Sequence, residues 1–220
     1  MKLINGKQVL ESISELVSPQ HTALLVHDMQ NDFCAPGGKV FDKFPGAKDA
    51  VQRTIEGIAQ LLTLGRRVGA MVAFSRASHL PGAEDESPVH LHHLLRRAQR
   101  GTEPNVIIGT WGHSIIEQLS PQPGEFVFDK FSLSSFHGSL LDRMLRVRGI
   151  KTIVLTGVAS HSGILTTARV ATTLDYYVVV AEQCVGGLND RLHQAALEML
   201  KPDVYPLQEI MEAWQASLTE

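Results

Sequence analysis

The sequence is short of cysteine, of excess positive charge and of long apolar runs, and each shortage excludes a class of protein. The two cysteines, Cys34 and Cys184, are too few and too far apart for a disulfide framework or a zinc knuckle, so we expect a reducing, cytoplasmic compartment. No stretch approaches the roughly 20 apolar residues of a membrane span, and residues 1–6 lack the apolar core of a signal peptide. The net charge of -3, with interspersed signs, offers no basic face to nucleic acid or membranes. We therefore expect small-molecule chemistry.

What is present is typical of one soluble globular domain covering residues 1–220. The chain is 44% hydrophobic and 20% charged, and it contains no internal repeat, low-complexity segment or linker. Residues 1–20 are predicted to form a lead-in helix, because Gln8–Val17 has helical spacing of apolar residues and Ser18-Pro19 ends it.

Strand and helix patterns alternate along the rest of the chain. Continuous apolar runs predict strands at 22–27, 68–74, 125–128, 151–155, 176–181 and 203–205. Helical spacing predicts helices at 47–66, 89–100, 114–119, 140–148, 162–174 and 189–200, and a final helix after the last strand. Gly149 is the expected C′ residue of one helix and Asn189 the N-cap of another. This alternation predicts an α/β fold with a doubly wound, mostly parallel sheet.

Polar residues follow three of the predicted strands. Asp28 and Lys130 stand at two strand ends, and the segment Gly157–Gly163 turns from a strand directly into a helix. In open α/β sheets the ligand crevice lies outside the carboxyl ends of the strands, where a helix also presents free N–H groups. We expect these residues to converge on one site, although from position alone Asp28 as a turn cap and Lys130 as a surface residue remain an equal alternative.

Several segments together resemble the isochorismatase-like hydrolase superfamily, in the family's order, from about residue 22 to 181. These are Asp28-Met-Gln-Asn-Asp-Phe33, Gly109-Thr-Trp-Gly112 with Pro121-Gln-Pro-Gly-Glu125, Lys130 with Ser135-Phe-His137 and Leu140, and Thr156-Gly-Val-Ala159 with Thr166-Thr-Ala-Arg169. The resemblance implies a three-layer α/β/α sandwich and a site made of an Asp, a Lys and usually a Cys. In the amidase branch the Asp deprotonates the Cys, whose thiolate attacks an amide carbon. Asp28 and Lys130 match the first two.

The third position of this pattern is Gly163, so no thiol stands at the helix N-terminus. Cys34 and Cys184 lie elsewhere and are interpreted as buried structural residues. The true isochorismatases, which hydrolyse a vinyl ether, resemble this chain in having glycine there. Because protonating an enol ether needs an acid and no covalent nucleophile, we predict vinyl-ether hydrolysis of a small carboxylated substrate with Asp28 as general acid.

Further residues are assigned to substrate binding. Lys130 would orient a substrate carboxylate, and the backbone N–H groups around Ala159 and Gly163 would bind a second oxygen group. Arg76 is a candidate carboxylate clamp, although a solvated arginine is as good an interpretation. Ser162, Trp111, His161 and Phe136 complete the predicted set, from their places in the matching segments. The resemblance also implies a cis peptide at Val158-Ala159, and His137 is a candidate for a supporting role.

Other features leave alternatives open. The Ala35-Pro-Gly-Gly38 turn and the His-rich segment after Phe74 are more similar to the amidase branch, so an amidohydrolase using an activated water, and a non-catalytic binding protein, both remain. His90, His92 and His93 have the spacing of a charged helix face shared with Arg96 and Arg97, and we predict no metal and no cofactor. A homo-oligomer is expected, because family members commonly self-associate and the helix from Ile164 to Leu174 is apolar.

Overall fold

A six-stranded parallel sheet forms the centre of the molecule, in a computed structural model that describes residues 1–96 and 104–219. Its strands are β3 Thr22–His27, β4 Met71–Ala77, β5 Phe126–Lys130, β6 Thr152–Val158, β7 Tyr177–Gly186 and β8 Val204–Tyr205. Their order is β5-β4-β3-β6-β7-β8, and every neighbouring pair is parallel. The predicted doubly wound sheet is confirmed.

Helices cover both faces of this sheet. One face carries α1 Ile13–Leu16, α3 Lys48–Arg67 and α8 Leu207–Ala216, and the other carries α5 Leu141–Val147, α6 Leu165–Thr173 and α7 Asp190–Leu200. Two shorter connections contain α2 Asn31–Cys34 and α4 Pro88–Arg96. The result is the expected three-layer sandwich. No helix within residues 1–96 and 104–219 is both long and apolar enough to cross a membrane.

The order of the strands decides where a ligand can bind. The chain winds outward from β3 to β5 in one direction and from β6 to β8 in the other, so the direction reverses between β3 and β6. A crevice opens at such a switch point, outside the carboxyl ends of the two strands. Asp28 follows β3 directly, and the Gly157–Gly163 corner ends β6.

The predicted lead-in helix is largely wrong. Strands β1 Lys2–Ile4 and β2 Lys7–Val9 form an antiparallel hairpin instead, and only α1 is helical. The two residues between the strands, Asn5 and Gly6, have φ of 49° and 75°, as in the Asn-Gly turns that favour hairpins. The chemistry of this turn therefore overrides the helical spacing of the apolar residues that follow it.

Other predicted bounds differ in ways that matter for the site. Strand β4 begins at Met71 and continues to Ala77, so it contains Arg76 rather than ending before it. The predicted helix 114–119 is replaced by two 3₁₀ turns, Trp111–His113 and Glu117–Leu119, because Ser114 between them is extended. Helix α4 matches part of the predicted helix 89–100, whose last residues, 97–100, lie outside the described residues.

The helix that motivated the expectation of self-association uses its apolar face within the chain. Ile164, Ala168 and Ala171 are all buried against the sheet, in the same core as Leu155 and Val180. The buried side of this helix is therefore used within the chain, and the homo-oligomer stays a prediction.

Candidate active site

A buried ion pair lies at the carboxyl edge of the sheet. Asp28 Oδ2 is 2.8 Å from Lys130 Nζ, and the two residues are 6% and 3% exposed. The two strands are not neighbours, because β4 lies between them, so their backbones are separated by about 9–10 Å. The long lysine side chain spans this gap, and Lys130 also donates to the carbonyl of Ser132. The structure thus brings together the Asp and Lys predicted from the strand ends.

Two further residues contact the carboxylate, and the sequence interpretation missed both. Ser75, on the intervening strand β4, donates its hydroxyl to Asp28 Oδ1 over 3.0 Å, and His27 Nδ1 lies 3.3 Å from Asp28 Oδ2. Ser75 and His27 occupy the same level of the sheet in the β3–β4 register. A polar residue at the end of each apolar run was the available signal. The site is therefore a cluster of four side chains from three strands or their ends.

His27 is a neutral imidazole in this setting. Its pKa is lowered to about 4, chiefly because complete burial desolvates the ring; the negative charge of Asp28 opposes this shift, the positive charge of Lys130 adds to it, and the carbonyls of Val158 and Leu133 oppose it. Nδ1 lies 3.0 Å from the carbonyl oxygen of Val158, which can only accept, so Nδ1 carries the proton.

The strand-turn-helix corner forms the next wall. Strand β6 ends in a cis peptide between Val158 and Ala159, and a π-helical turn, Ser160–Ile164, leads into α6. Gly163 is buried inside this turn, and a Cβ there would overlap Cε1 of His27 and stand 2.8 Å from its Nε2. The imidazole therefore fills the space in front of Gly163, so that only glycine fits at that position while His27 is present.

The three polar residues that follow Met29 fix the loops around the site. Each uses its side chain to bond backbone atoms of another segment, so the run Gln30-Asn31-Asp32 acts as a set of clamps. Gln30 bonds Ala77 N and O and His113 O, Asn31 donates to Trp111 O, and Asp32 accepts from Lys39 N and Val106 N. Only Asp28 of this motif contacts Lys130; the others position the chain.

Arg76 is not part of this cluster. It follows Ser75 on β4, so its side chain leaves the opposite face of the sheet, where its Nε bonds Asp129 Oδ1 at 2.7 Å. The same carboxylate oxygen lies 3.2 Å from His113 Nε2, and His113 also bonds Ser78. Arg76 is thus engaged in a separate charge network, and a clamp on the substrate would require it to leave Asp129.

The remaining predicted contacts are divided between core and surface. Phe136 is buried and stacks on Tyr176 with ring centroids 5.9 Å apart, so it is a core residue in this structure. Trp111 is exposed and lies beside the Gly37 turn. Ala159, His161 and Ser162 lie at the corner itself, and His137 is exposed. The corner residues keep the position expected of them, whereas the prediction for Phe136 depended on its sequence neighbours alone.

Neither cysteine is prepared to act as a nucleophile. Burial, followed by the negative charge of Asp28, raises the pKa of the Cys34 thiol well above its usual range, and burial raises the pKa of Cys184 to about 12. Reactive thiols have lowered pKa values and are accessible. Both cysteines are free, and both are interpreted as core residues.

The histidines of the irregular segment lie against carboxylates of the same segment. His79 Nδ1 is 2.9 Å from Asp85 Oδ2, and His90 pairs with Glu86 in the next turn. His92 is exposed, and the side chain of His93, with Arg97, lies outside the described residues. Across residues 1–96 and 104–219 no group of three potential His, Cys, Asp or Glu ligands is close enough to hold a metal ion.

The polar cluster, and not the size of a cavity, marks this site. An open cleft of about 450 Å³ lies at the other edge of the sheet, between the beginnings of β4 and β5, and is lined by residues such as Arg66, Met71 and Arg148. Neither Asp28 nor Lys130 lines that cleft. Because α/β sheets bind ligands at the carboxyl ends of strands, we assign the site to the Asp28 edge.

The α/β/α sandwich thus carries a buried Asp-Lys pair beside its switch point, where open α/β sheets bind ligands. The chain belongs to the isochorismatase domain family, which it matches over residues 22–212. It is 32% identical over 182 residues, 79% of its own length and 70% of the relative's, to a ureidoacrylate amidohydrolase RutB of Methylorubrum extorquens.

Solved structures agree with this assignment. An isochorismatase family protein from Desulfovibrio vulgaris has 29% identity and a TM-score of 0.74, covering 90% of this chain and 98% of its own. N-carbamoylsarcosine amidase from Thermoplasma acidophilum has 25% identity and a TM-score of 0.68, covering 85% and 96%.

The prediction of vinyl-ether hydrolysis is wrong. The ureidoacrylate amidohydrolase and the N-carbamoylsarcosine amidase, which match 79% and 85% of the chain, are named for hydrolysis of C–N bonds. The prediction depended on Gly163 and its neighbours, a few positions, and not on the similarity that extends over the whole fold. A glycine at one position does not determine which bond is broken.

Proposed function

We propose that this chain is an amidohydrolase that breaks a C–N bond in a small carboxamide or ureido compound, with water in place of a thiol as nucleophile. The observation that carries the proposal is the buried Asp28–Lys130 pair, 2.8 Å apart at the switch point of the sheet. The chemistry of the relatives supports C–N hydrolysis, and Gly163, which stands where the resemblance expects a cysteine, supports the use of water.

The proposed reaction balances with these residues. The Asp28 carboxylate takes a proton from water while the water oxygen bonds the carbonyl carbon, and the same carboxyl then returns the proton to the leaving nitrogen as the C–N bond breaks. The ammonium of Lys130 has three N–H donors, of which the described residues use two, with Asp28 and with Ser132. The third is directed to a substrate oxygen.

Negative charge that develops on the carbonyl oxygen needs donors that are already in place. In this proposal backbone N–H groups of the corner from Ala159 to Gly163 supply them, apart from that of Ser162, which donates to the Ala159 carbonyl; the corner begins the helical segment that continues as α6. Exposed Trp111 is the candidate for closing the site from above. No metal or cofactor has a part in this mechanism.

The test is ammonia release from a panel that contains ureidoacrylate, N-carbamoylglycine and nicotinamide. We expect turnover of at least one compound and a loss of about 10²-fold or more in Asp28→Asn, because a general base has been removed. Glu198→Gln, which changes an exposed carboxylate to an amide in the same way, should leave turnover unchanged.

A second pair of substitutions separates water from thiol chemistry. Cys34→Ala with Cys184→Ala removes every cysteine of the chain and should retain activity within about threefold, because both thiols are buried and their raised pKa values keep them protonated. Loss of activity in a variant that remains folded would refute the water mechanism. Absence of ammonia release from the whole panel would refute the amidohydrolase proposal.

A further inference from the structure

His27 is a fully buried polar side chain that packing alone does not require. One ring nitrogen, Nδ1, has acceptors at 3.0 Å in Val158 and at 3.3 Å in Asp28, while Nε2 has no hydrogen-bond partner in the described part of the chain. Leaving a buried nitrogen unpaired lowers stability, so an apolar residue would make a better core. Departures of this kind from optimal packing occur at functional sites.

The ring also excludes any side chain at the corner. A Cβ on residue 163 would overlap Cε1 of His27 and lie 3.2 Å from Nδ1, the atom that faces the Asp28 carboxylate. Both atoms belong to a ring held by Val158, and not to the mobile end of a long side chain, so the overlap cannot be relieved by a small rotation. Positions 27 and 163 therefore share one volume, which only one side chain can occupy.

We propose that His27 is the positioning residue of the Asp28 site: its imidazole takes the volume that a side chain at position 163 would need and holds the carboxylate for the reaction. Nδ1 contacts the same oxygen, Oδ2, that binds Lys130. The other oxygen, Oδ1, has a neutral partner in the Ser75 hydroxyl and is therefore the one left to accept a proton from water. The proposal has two halves. The catalytic half, that His27 holds the Asp28 carboxylate for the reaction, rests on the proposed amidohydrolase function; the steric half, that His27 takes the volume of a side chain at position 163, does not.

The steric half is tested by a double-mutant cycle on thermal unfolding. Gly163→Ala should lower Tm by roughly 5–10 °C in the wild-type background, because the added methyl group overpacks the corner. In the His27→Val background the same change should cost less than about 2 °C, since the ring atoms it would meet are gone.

The matched control is Gly57→Ala, a second buried glycine whose Cβ would meet Gln183 and Cys184 instead of His27. Its effect on Tm should be equal in both backgrounds. If Gly163→Ala lowers Tm as much in the His27→Val background as in the wild-type background, positions 27 and 163 do not compete for one volume and the inference is overturned.

The catalytic half is tested by steady-state kinetics on whichever panel compound is turned over. His27→Val should lower kcat by at least about 10-fold with KM changed less than about threefold, because the substrate still binds but Asp28 is less well oriented. His27→Asn keeps an N–H near the Nδ1 position and should recover part of kcat. Equal kcat in all three proteins would overturn the positioning role and leave the amidohydrolase proposal intact. If wild-type protein turns over nothing, that proposal fails while the thermal cycle still decides the steric half.

Discussion

Replacing Asp28 by Asn should destabilise the protein far more than an equivalent change on the surface. The substitution leaves the ammonium of Lys130 buried opposite a neutral amide. Two unit charges 2.8 Å apart attract by about 6 kcal/mol at an effective dielectric constant of about 20, and the cost of burying both charges offsets much of this attraction. What decides the outcome is the charge left behind, because breaking one side of a buried pair costs about 3–5 kcal/mol.

For a domain of this size that loss corresponds to a Tm lower by roughly 6–20 °C, measured by circular dichroism at neutral pH. Glu198→Gln is the control, because Glu198 and Lys201 are 3.0 Å apart but 74% and 64% exposed, and an exposed pair contributes little; its Tm should change by less than about 4 °C. Asp28→Asn combined with Lys130→Met removes both charges and should recover part of the loss. A Tm for Asp28→Asn no lower than that of the control would refute the picture of a desolvated pair.

Three further outcomes are expected. Because desolvation lowers the pKa of His27 from 6.5 to about 4, the unfolded chain binds more protons between these values, so stability should fall as the pH drops from about 6.5 to 4. Between pH 6.5 and 4 the free energy of unfolding should fall by about 2–4 kcal/mol less in His27→Val, in which Asp28 and Lys130 still face position 27. If the two proteins lose the same stability over this pH range, the lowered pKa of His27 is excluded. Native protein treated with iodoacetamide should show no alkylation of Cys34 or Cys184 by mass spectrometry, since both thiols are buried and their pKa values are raised, and rapid labelling of either would contradict this. Light scattering at tens of micromolar should detect a homo-oligomer, and a monomer there would end that prediction.

The layers of the fold and the first two site residues could be predicted from the sequence because each depends on a local signal. Continuous apolar runs identify covered strands, and a polar residue after such a run must lie at the strand's carboxyl end. Parallel winding then brings Asp28 and Lys130 to one edge without any knowledge of side-chain contacts.

The contacts of the other residues could not be predicted, because they depend on the direction in which a side chain leaves its strand or loop. Ser75 and Arg76 are neighbours in the sequence, yet alternation along β4 sends one to Asp28 and the other to Asp129. Phe136 was assigned through its neighbours, and its stacking on Tyr176, a contact between residues 40 positions apart, is contained in no local pattern. His27 looked like the last residue of an apolar strand, and its role depends on Gly163, which only the folded corner brings beside it.

The clamps that follow Met29 have a consequence for how this protein could be redesigned. The side chains of Gln30, Asn31 and Asp32 bond backbone N–H and carbonyl groups of the loops. Any substitution in the loops other than proline preserves these backbone groups. The loop side chains can therefore be substituted to suit a new substrate while the hydrogen bonds from residues 30–32 keep the loop backbone in place. Gly38 and Gly112 are exceptions, because a Cβ at Gly38 would collide with the Asn31 carbonyl and a Cβ at Gly112 with the Asp32 carboxylate. A library that randomises the rim of the site should vary Trp111 and leave both glycines fixed.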